Sequence, residues 1–475
     1  MNQMRTRFRL LTLLVLCLLL AAGLYGVYSV TIYGSRWFSS SKNTRYQTAK
    51  RTVIPGDIRD RNDMLLATTD EAGDRVYQSN IKARRAVVHL LGDTDGNVAN
   101  GVDSFQANYL LGFETSLSER VAALLRGETR RGDNITLTVD ARLCQKIVDT
   151  FENGASTRDK SGAAVVLNYR TGEVLALVSL PVFDPAKITQ ADQTNPLHPF
   201  WNRALQSTLP PGSTFKIITA ASALENLSGI ETYHFTCTGA TQVLDQTIHD
   251  YHMAQHGSLT LEKAFTVSCN NAFAQCALIL KDAPLRKTAE DFGFNDNFLF
   301  RDLVVENSVY PTTNRNDVEV AWSGAGQSQV AATPLHMCMV AAAIANNGVM
   351  MEPRTLASVV SPSGVVRLRY TQKVYRTAVD PAIAATLQGY MKNVVTSGTG
   401  TAAQVTGLTI AGKTGSAESA ADGEPVTHAW FVGYIADPNL PYACCVLVEK
   451  GDSGGSVAAP IAATIFKYLK DTYGS

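Results

Sequence analysis

Hydrophobic positions are spread unevenly along this chain, and the unevenness divides it. Residues 10–30 are apolar and uncharged, about 21 positions, which at 1.5 Å each spans roughly 30 Å of hydrocarbon. Arg5, Arg7 and Arg9 precede the run. A cleaved signal peptide has a shorter apolar region with a small-residue cleavage site after it, whereas Ala21-Ala22-Gly23 lies inside this one. The pattern predicts an uncleaved, single-pass signal-anchor over residues 10–31, with residues 1–9 as a cytoplasmic tail and the body of the chain extracytoplasmic. The leading arginines favour that orientation. Arg36, Lys42, Arg45, Lys50 and Arg51 follow the span with no acid between them and argue the other way. The external placement therefore rests mainly on a one-span protein of this kind needing an external body.

Beyond the run the pattern changes twice. Residues 32 to about 52 are polar and basic, as in a stalk. From about 53 to 131 come short alternating segments with Gly, Asp and Asn at the turns, which predict a small, mostly-β, loop-rich region. Arg131-Gly132-Asp133 spells an adhesive tripeptide but reads better as a turn before a strand at 135–139. From Asn134 the pattern is denser. It predicts a helix from 141 to about 153 and strands at 162–167 and 173–179 around a hairpin. Further helices are predicted after Pro211, around 261–280 and around 334–346, then strands near 408–416, 429–436 and 443–449. Locally paired strands with helices between them indicate an α+β fold rather than a parallel sheet. Residues 32–140 are assigned to a stalk and non-catalytic domain, and 141–475 to a larger second domain.

Composition adds limits. The 475 residues suffice for two or three domains and a full core. Lys plus Arg and Asp plus Glu both total 42, so charge points to no nucleic acid or polyacidic partner. Seven of the eight cysteines lie outside the apolar run without a CxxC pair, which is no disulfide framework; buried free thiols are expected. His249, His252 and His256 have a spacing that could suit zinc on a helix, yet Gly257 ends the run and no His-Glu-x-x-His pattern is present. They read as surface or cleft-rim histidines, and no metal or other cofactor is assigned. Cys269 and Cys276, seven apart, read as one helix face packed on the core.

The chemistry concentrates at Pro210-Pro211-Gly212-Ser213-Thr214-Phe215-Lys216. Two prolines and a glycine lead into a helical segment, so Ser213 falls in the first turn, where free N–H groups favour developing negative charge. Lys216 lies one turn on, on the same face, its amine within reach of the serine oxygen, as in a nucleophile and its base. Ser39 and Lys42 share that spacing, so context must decide. Downstream stand Ser268-Cys269-Asn270, in the middle of the helical stretch, and Lys413-Thr414-Gly415, after a strand. Each is weak alone; in this order and on these elements the three are specific.

With those motifs the chain resembles a class B penicillin-binding protein, a membrane-anchored peptidoglycan D,D-transpeptidase with the serine β-lactamase/D,D-peptidase-like fold. Residues 54–61 resemble the opening of the family's non-catalytic pedestal. Residues 172–181, Asn202-Arg203-Ala204-Leu205, Gly326-Gln327 with Ala332-Thr333-Pro334-Leu335, and 428–434 are similar to further family blocks. The cysteine in the second motif and the variant glycine–glutamine run at 324–328 depart from the pattern.

The resemblance implies that Ser213 attacks the amide between two terminal D-alanines, that Lys216 is its base, and that Ser268 relays the proton to the departing amine. Asn270 would hold the substrate peptide, Lys413, Thr414 and Gly415 its carboxylate end, and the backbone N–H groups of Ser213 and Ser416 the oxyanion. An ordinary lysine, with pKa near 10.4, pays about 4–5 kcal/mol to be neutral at pH 7, so burial or a nearby cation such as Lys413 must depress it. The implied ligands are D-Ala-D-Ala stem peptides and β-lactams, and the implied partner is a SEDS-type glycan polymerase met through the anchor and pedestal. A D,D-carboxypeptidase or β-lactamase of the same fold, a non-catalytic scaffold of the wall-synthesis complex, and a β-lactam sensor are the competing readings.

Overall fold

Five antiparallel strands form the sheet on which the rest of the larger unit is mounted, in the spatial order Ile410–Ala421, Glu424–Ile435, Tyr442–Val448, Gly162–Asn168, Val174–Leu180. The computed structural model of the chain describes residues 2–38, 52–70, 72–98, 101–127, 129–312, 315–421 and 424–474. Both faces of the sheet are covered, which is why its strands read as apolar runs rather than clean alternations. Ala164, Val166, Phe431, Val446 and Val448 point to a face packed by the helices Ala141–Asn153 and Ala459–Tyr473. Ala163, Val165, Trp430, Val432 and Leu447 point to the other, against Pro334–Ala345 and the helices beyond it. Pro334–Ala345 is buried nearly all round, as expected of an apolar helix at the centre of a core.

Local chemistry starts these helices where they start. Thr333 caps Pro334–Ala345 by accepting from His336 N, with proline at the first position, where its missing N–H costs nothing. Asp140 caps Ala141–Asn153 through Arg142 N and Leu143 N, while its other oxygen accepts from Tyr468 and Tyr473 at 3.1 and 2.8 Å. One fully buried carboxylate thus joins the first and last helices of this unit.

The N-terminal region is built on a six-stranded sheet, ordered Val366–Arg369, Leu356–Val360, Asn134–Leu137, Ile58–Arg59, Leu65–Thr69, Arg75–Tyr77. Its first two strands come from more than two hundred residues downstream of the others. The family-like segment at 54–61 acts as a clasp: buried Asp60 accepts from Asn62 N and Met64 N at 2.8 Å and from Ala141 N at 3.2 Å. Arg84 and Asp184 form a two-pronged pair at 2.8 and 2.6 Å between the same regions. Asp133 is fully buried, so the Arg131-Gly132-Asp133 tripeptide is not displayed for adhesion.

The helix Asn2–Phe38 precedes all this. Its stretch Thr6–Val30, exposed except at Ser29, is long and apolar enough to cross a bilayer. Ser39 and Lys42, whose spacing imitates the nucleophile motif, lie outside the described residues.

Replacing Asp140 removes a cap and leaves two tyrosine hydroxyls without their acceptor. Asp140→Ala is expected to cost about 2 kcal/mol, read as a lowered Tm by calorimetry, whereas exposed Arg142→Ala stays within about 0.5 kcal/mol. Equal Tm values for the two variants would refute this role.

Candidate active site

The segment at 210–216 folds as the residue types require. Gly212–Phe215 makes a tight 3-10 turn that runs directly into the helix Lys216–Asn226, placing Ser213 in the opening turn. Thr214 is locked by its hydroxyl bond to Pro211 O at 2.6 Å. The turn is clamped from two sides. Gly212 N donates to Gly326 O at 3.0 Å, and Gly326 has φ +74°, with space for no side chain: a Cβ there would lie 2.1 Å from Gly212 O. On the other side the edge strand Ile410–Ala421 passes so close that a Cβ on Gly415 would stand 2.9 Å from Pro211 O. These contacts explain the glycines of the third motif and of the glycine–glutamine run.

The second motif departs from expectation. The 261–280 stretch is two helices, Leu261–Val267 and Asn270–Leu280, and Ser268 between them is left-handed at φ 62°, ψ 36°. Cys269 then takes an extended conformation and caps the second helix, its sulfur accepting from Ala272 N at 3.3 Å. Cys269 therefore precedes the helix on which Cys276 sits, rather than sharing a helical face with it. The break turns the Ser268 carbonyl, the Ser268 hydroxyl and the Asn270 amide toward one point.

That point is occupied by Lys216. Its Nζ donates to Ser268 O at 2.6 Å and to Asn270 Oδ1 at 2.7 Å, and lies 3.4 Å from Ser268 Oγ. Lys413 reaches the same hydroxyl from the edge strand, Nζ to Ser268 Oγ 2.8 Å, and also donates to Thr414 O at 3.1 Å. Both lysines are fully buried, against the rings of Phe273 and Phe265 respectively. Thr414 and Thr399 hydroxyls stand 2.5 Å apart, and Ser416 Oγ accepts from Gly454 N at 3.2 Å.

Burial pushes the Lys216 ammonium down to about 8, against a smaller upward pull from Cys269 and Asp250. Lys413 is driven well below its ordinary range, first by burial and then by Lys216. Burial is thus the main cause of the Lys216 depression, and the repulsion between the pair is felt at Lys413. Lys216 spends its donors on Ser268 O and Asn270 Oδ1 rather than on Ser213. A neutral amine has two N–H groups and one lone pair; with both N–H groups engaged by carbonyls, the lone pair is left to accept a proton.

A cleft of about 750 Å³ opens over these groups, lined among others by Ser213, Ser268, Asn270, Thr414 and Ser416. Gln327, from the glycine–glutamine block, shares its walls with Trp322, Thr399 and Glu418, which were not singled out from sequence. Gln327, with its amide oriented to satisfy both partners, pairs with Glu418 N and O at 3.0 and 3.1 Å. His249, His252 and His256 do line the rim, but on a strand end, a turn and a loop rather than on one helix. Cys17 is exposed, and the other seven cysteines are buried free thiols.

Known proteins share this arrangement of elements. The penicillin-binding protein transpeptidase domain family matches residues 162–467. Peptidoglycan D,D-transpeptidase PbpA of Mycolicibacterium smegmatis is 33% identical over 403 residues, 79% of this chain and 81% of that one. Among solved structures, the ceftriaxone acyl-enzyme complex of penicillin-binding protein A from M. tuberculosis superposes with a TM-score of 0.80 at 29% identity, covering 88% of this chain and 99% of that one. The D,D-transpeptidase domain of a peptidoglycan glycosyltransferase from Eggerthella lenta does so with a TM-score of 0.77 at 28% identity, covering 89% and 99%.

Gly326 offers a test of the clamp that leaves every reactive group in place. Gly326→Ala combines a strained φ with a steric clash and is expected to destabilise by about 2 kcal/mol or more. It should also slow whatever reaction Ser213 performs; a variant with unchanged Tm and reactivity would show that the clamp is dispensable.

Proposed function

The chain belongs to the penicillin-binding protein transpeptidase family, and we propose that it is a peptidoglycan D,D-transpeptidase that cross-links stem peptides through a serine acyl-enzyme and is acylated by β-lactams. The convergence of Lys216 and Lys413 on Ser268 from three distant segments, beneath a cleft lined by both Ser213 and Ser268, carries the reading.

In this mechanism Ser213 Oγ attacks the carbonyl carbon between the two terminal D-alanines, and its proton passes to the lone pair of Lys216. The Ser213 and Ser416 backbone N–H groups take the oxyanion; Ser416 lies on the sheet's outer strand, where the substrate backbone adds alongside. Collapse breaks the C–N bond, and the proton travels from Lys216 through Ser268 Oγ to the departing D-alanine amine. A second stem's amine then attacks the ester and frees Ser213. Asn270 holds the substrate peptide, while Lys413, Thr414 and Ser416, with Gly415 giving clearance, hold its carboxylate end. That carboxylate restores to Lys413 the opposite charge that burial denies it.

The same reading divides the chain into a cytoplasmic tail at 1–9, an anchor at 10–31, a stalk and pedestal at 32–140 and the transpeptidase domain at 141–475, with the body extracytoplasmic. A SEDS-type glycan polymerase is the expected partner of the anchor and pedestal. Failure of the two membrane proteins to co-purify, under conditions that preserve comparable pairs, would remove that part.

Four outcomes are expected. Intact mass rises by one penicillin adduct that maps to Ser213, and Ser213→Ala takes none; an adduct in that variant sinks the assignment. Lys216→Ala slows acylation by about 10²–10⁴-fold without abolishing folding, as stopped acylation time courses and Tm will show. Because a lysine is a base only when deprotonated, the acylation rate rises with pH through a midpoint near 8; a rate that falls over this range would exclude Lys216 as the base. Lipid II-derived glycan supplied with a partner polymerase should yield cross-linked dimers, whereas trimmed stems alone would favour a carboxypeptidase.

A further inference from the structure

The edge strand Ile410–Ala421 brings backbone to the cleft, and two contacts limit how much of that edge is open. Gln327 lays its side-chain amide against Glu418, bonding the N–H and C=O at 3.0 and 3.1 Å as a neighbouring strand would. Backbone groups point alternately to the two sides of a strand. Glu418, Ser416 and Thr414 therefore all turn theirs away from the partner strand Glu424–Ile435. At the other end, Thr414 O is taken by Lys413 Nζ at 3.1 Å. Ser416 lies between, with its N–H and C=O facing the cleft. An added peptide is thus offered one residue's pair of bonds, bounded on one side by a lysine and on the other by a glutamine.

Side chains alternate as well, so Thr414, Ser416 and Glu418 share the face that lines the cleft. Glu418 stands two residues, roughly 6.6 Å, beyond Ser416. The cleft wall holds one other carboxylate, Asp250, which is buried and engaged by Asn270 N and the Cys237 thiol. Glu418 is exposed, and its carboxylate forms no ion pair or hydrogen bond among the described residues. A stem peptide that exchanges two bonds with Ser416 places its penultimate D-alanine there, with the attacked carbonyl on Ser416 N–H. Because the terminal carboxylate points to Lys413 and Thr414, the preceding residue points the other way, toward Glu418. Gln327 already occupies the edge at that point. The stem must leave the strand there, and its side chain emerges beside the Glu418 carboxylate.

We propose that Glu418 selects stems in which the residue before the two D-alanines carries a cationic amine, with Gln327 as the positioning residue that ends the added strand. The inference rests on the transpeptidase reading of the same cleft. An ammonium beside this carboxylate gains an ion pair that a neutral side chain lacks, while an acidic one meets like charge. The pair sits on an exposed side chain, so water and salt screen it and the discrimination is modest. Acetylating the amine removes the charge and leaves the reach of the side chain unchanged.

The test uses the full-length protein in detergent and three N-acylated peptides ending in a D-alanyl-D-thiolactate thioester, so that thiol release reports acylation of Ser213. They differ only at the residue before the D-alanine: lysine, Nε-acetyl-lysine or glutamate. Wild type should show a kcat/KM about fivefold higher for lysine than for acetyl-lysine, with glutamate lowest, and added salt should shrink the difference. Glu418→Gln should make lysine and acetyl-lysine equal, and Glu418→Lys should place glutamate first. Gln327→Ala should reduce the lysine preference; a glutamine with a merely structural role would slow all three peptides alike. Equal rates with the three, no reaction with any, or a preference that survives salt and Glu418→Gln would overturn the inference. Should the Glu418 variants fail to fold, the wild-type preference and its salt dependence decide alone. Penicillin labelling of wild-type Ser213 in the same preparation separates the two readings: without it the transpeptidase assignment falls, and with it only the selection of stems does.

Discussion

Two buried lysines meet at one serine hydroxyl, and the rest of the catalytic unit is arranged around that meeting. Lys216 and Lys413 are both fully buried and both approach Ser268 Oγ. Neither ammonium retains the hydration it would have at the surface, and two positive charges converging on one hydroxyl oppose each other. Such a place tolerates less than its full complement of protons. Burial does most of this at Lys216, while Lys413 also feels Lys216. A strong base is thus kept partly deprotonated at neutral pH by the way the chain packs.

Each of the three contributors reaches that spot by a different local device. The turn bearing Ser213 is delivered by a proline–glycine lead-in and held by the glycine-only approach of Gly326 and Gly415. Lys413 comes from the sheet's outer strand, whose long pairing with Glu424–Ile435 leaves its other edge open to the cleft. Ser268 comes from a break between helices, where a left-handed residue presents both its carbonyl and its hydroxyl to the lysines. The Asn202-Arg203 segment acts at a distance from the chemistry: Arg203 donates to Glu449 at 3.0 Å and Asn202 to His89 O at 3.0 Å, tying sheet to pedestal.

Features encoded within a few residues were readable from the chain. Ser213 in a first turn, Lys216 one turn later, the apolar strands of the sheet and the capped helix after Asp140 all follow from short-range rules. The helix break at Ser268 was not, because neither Gly nor Pro marks it and the apolar periodicity continues across it. The faint signal was Ser268-Cys269 preceding Asn270, small polar residues able to start a helix. Pairing of Leu356–Val360 with Asn134–Leu137 was equally hidden, since no local pattern names a partner more than two hundred residues away. His256 shows both limits together. With its sequence neighbours His249 and His252 it read as a cleft-rim histidine, while its spatial neighbours are Cys237, Asp250 and Cys269.

The left-handed conformation of Ser268 gives those distant neighbours their importance. A non-glycine residue in this region carries a cost of order 1–3 kcal/mol, and it persists only when its surroundings over-determine it. On the N-terminal side, Ser268 N and Cys269 N donate back to Phe265 O and Ala264 O, closing the first helix. On the C-terminal side, Cys269 is held by the cap to Ala272 N and by Asp250, which also receives Asn270 N. Asp250, outside the three motifs, thus touches both residues that follow Ser268. A cysteine at position 269 serves the cap through its sulfur and faces the carboxylate at the same time, a combination that the shorter serine or alanine side chains would not reproduce with the same reach. The departure from the usual family pattern at this position is thus coupled to the 238–256 loop, which sets the geometry of the break between the two helices together with the motif residues.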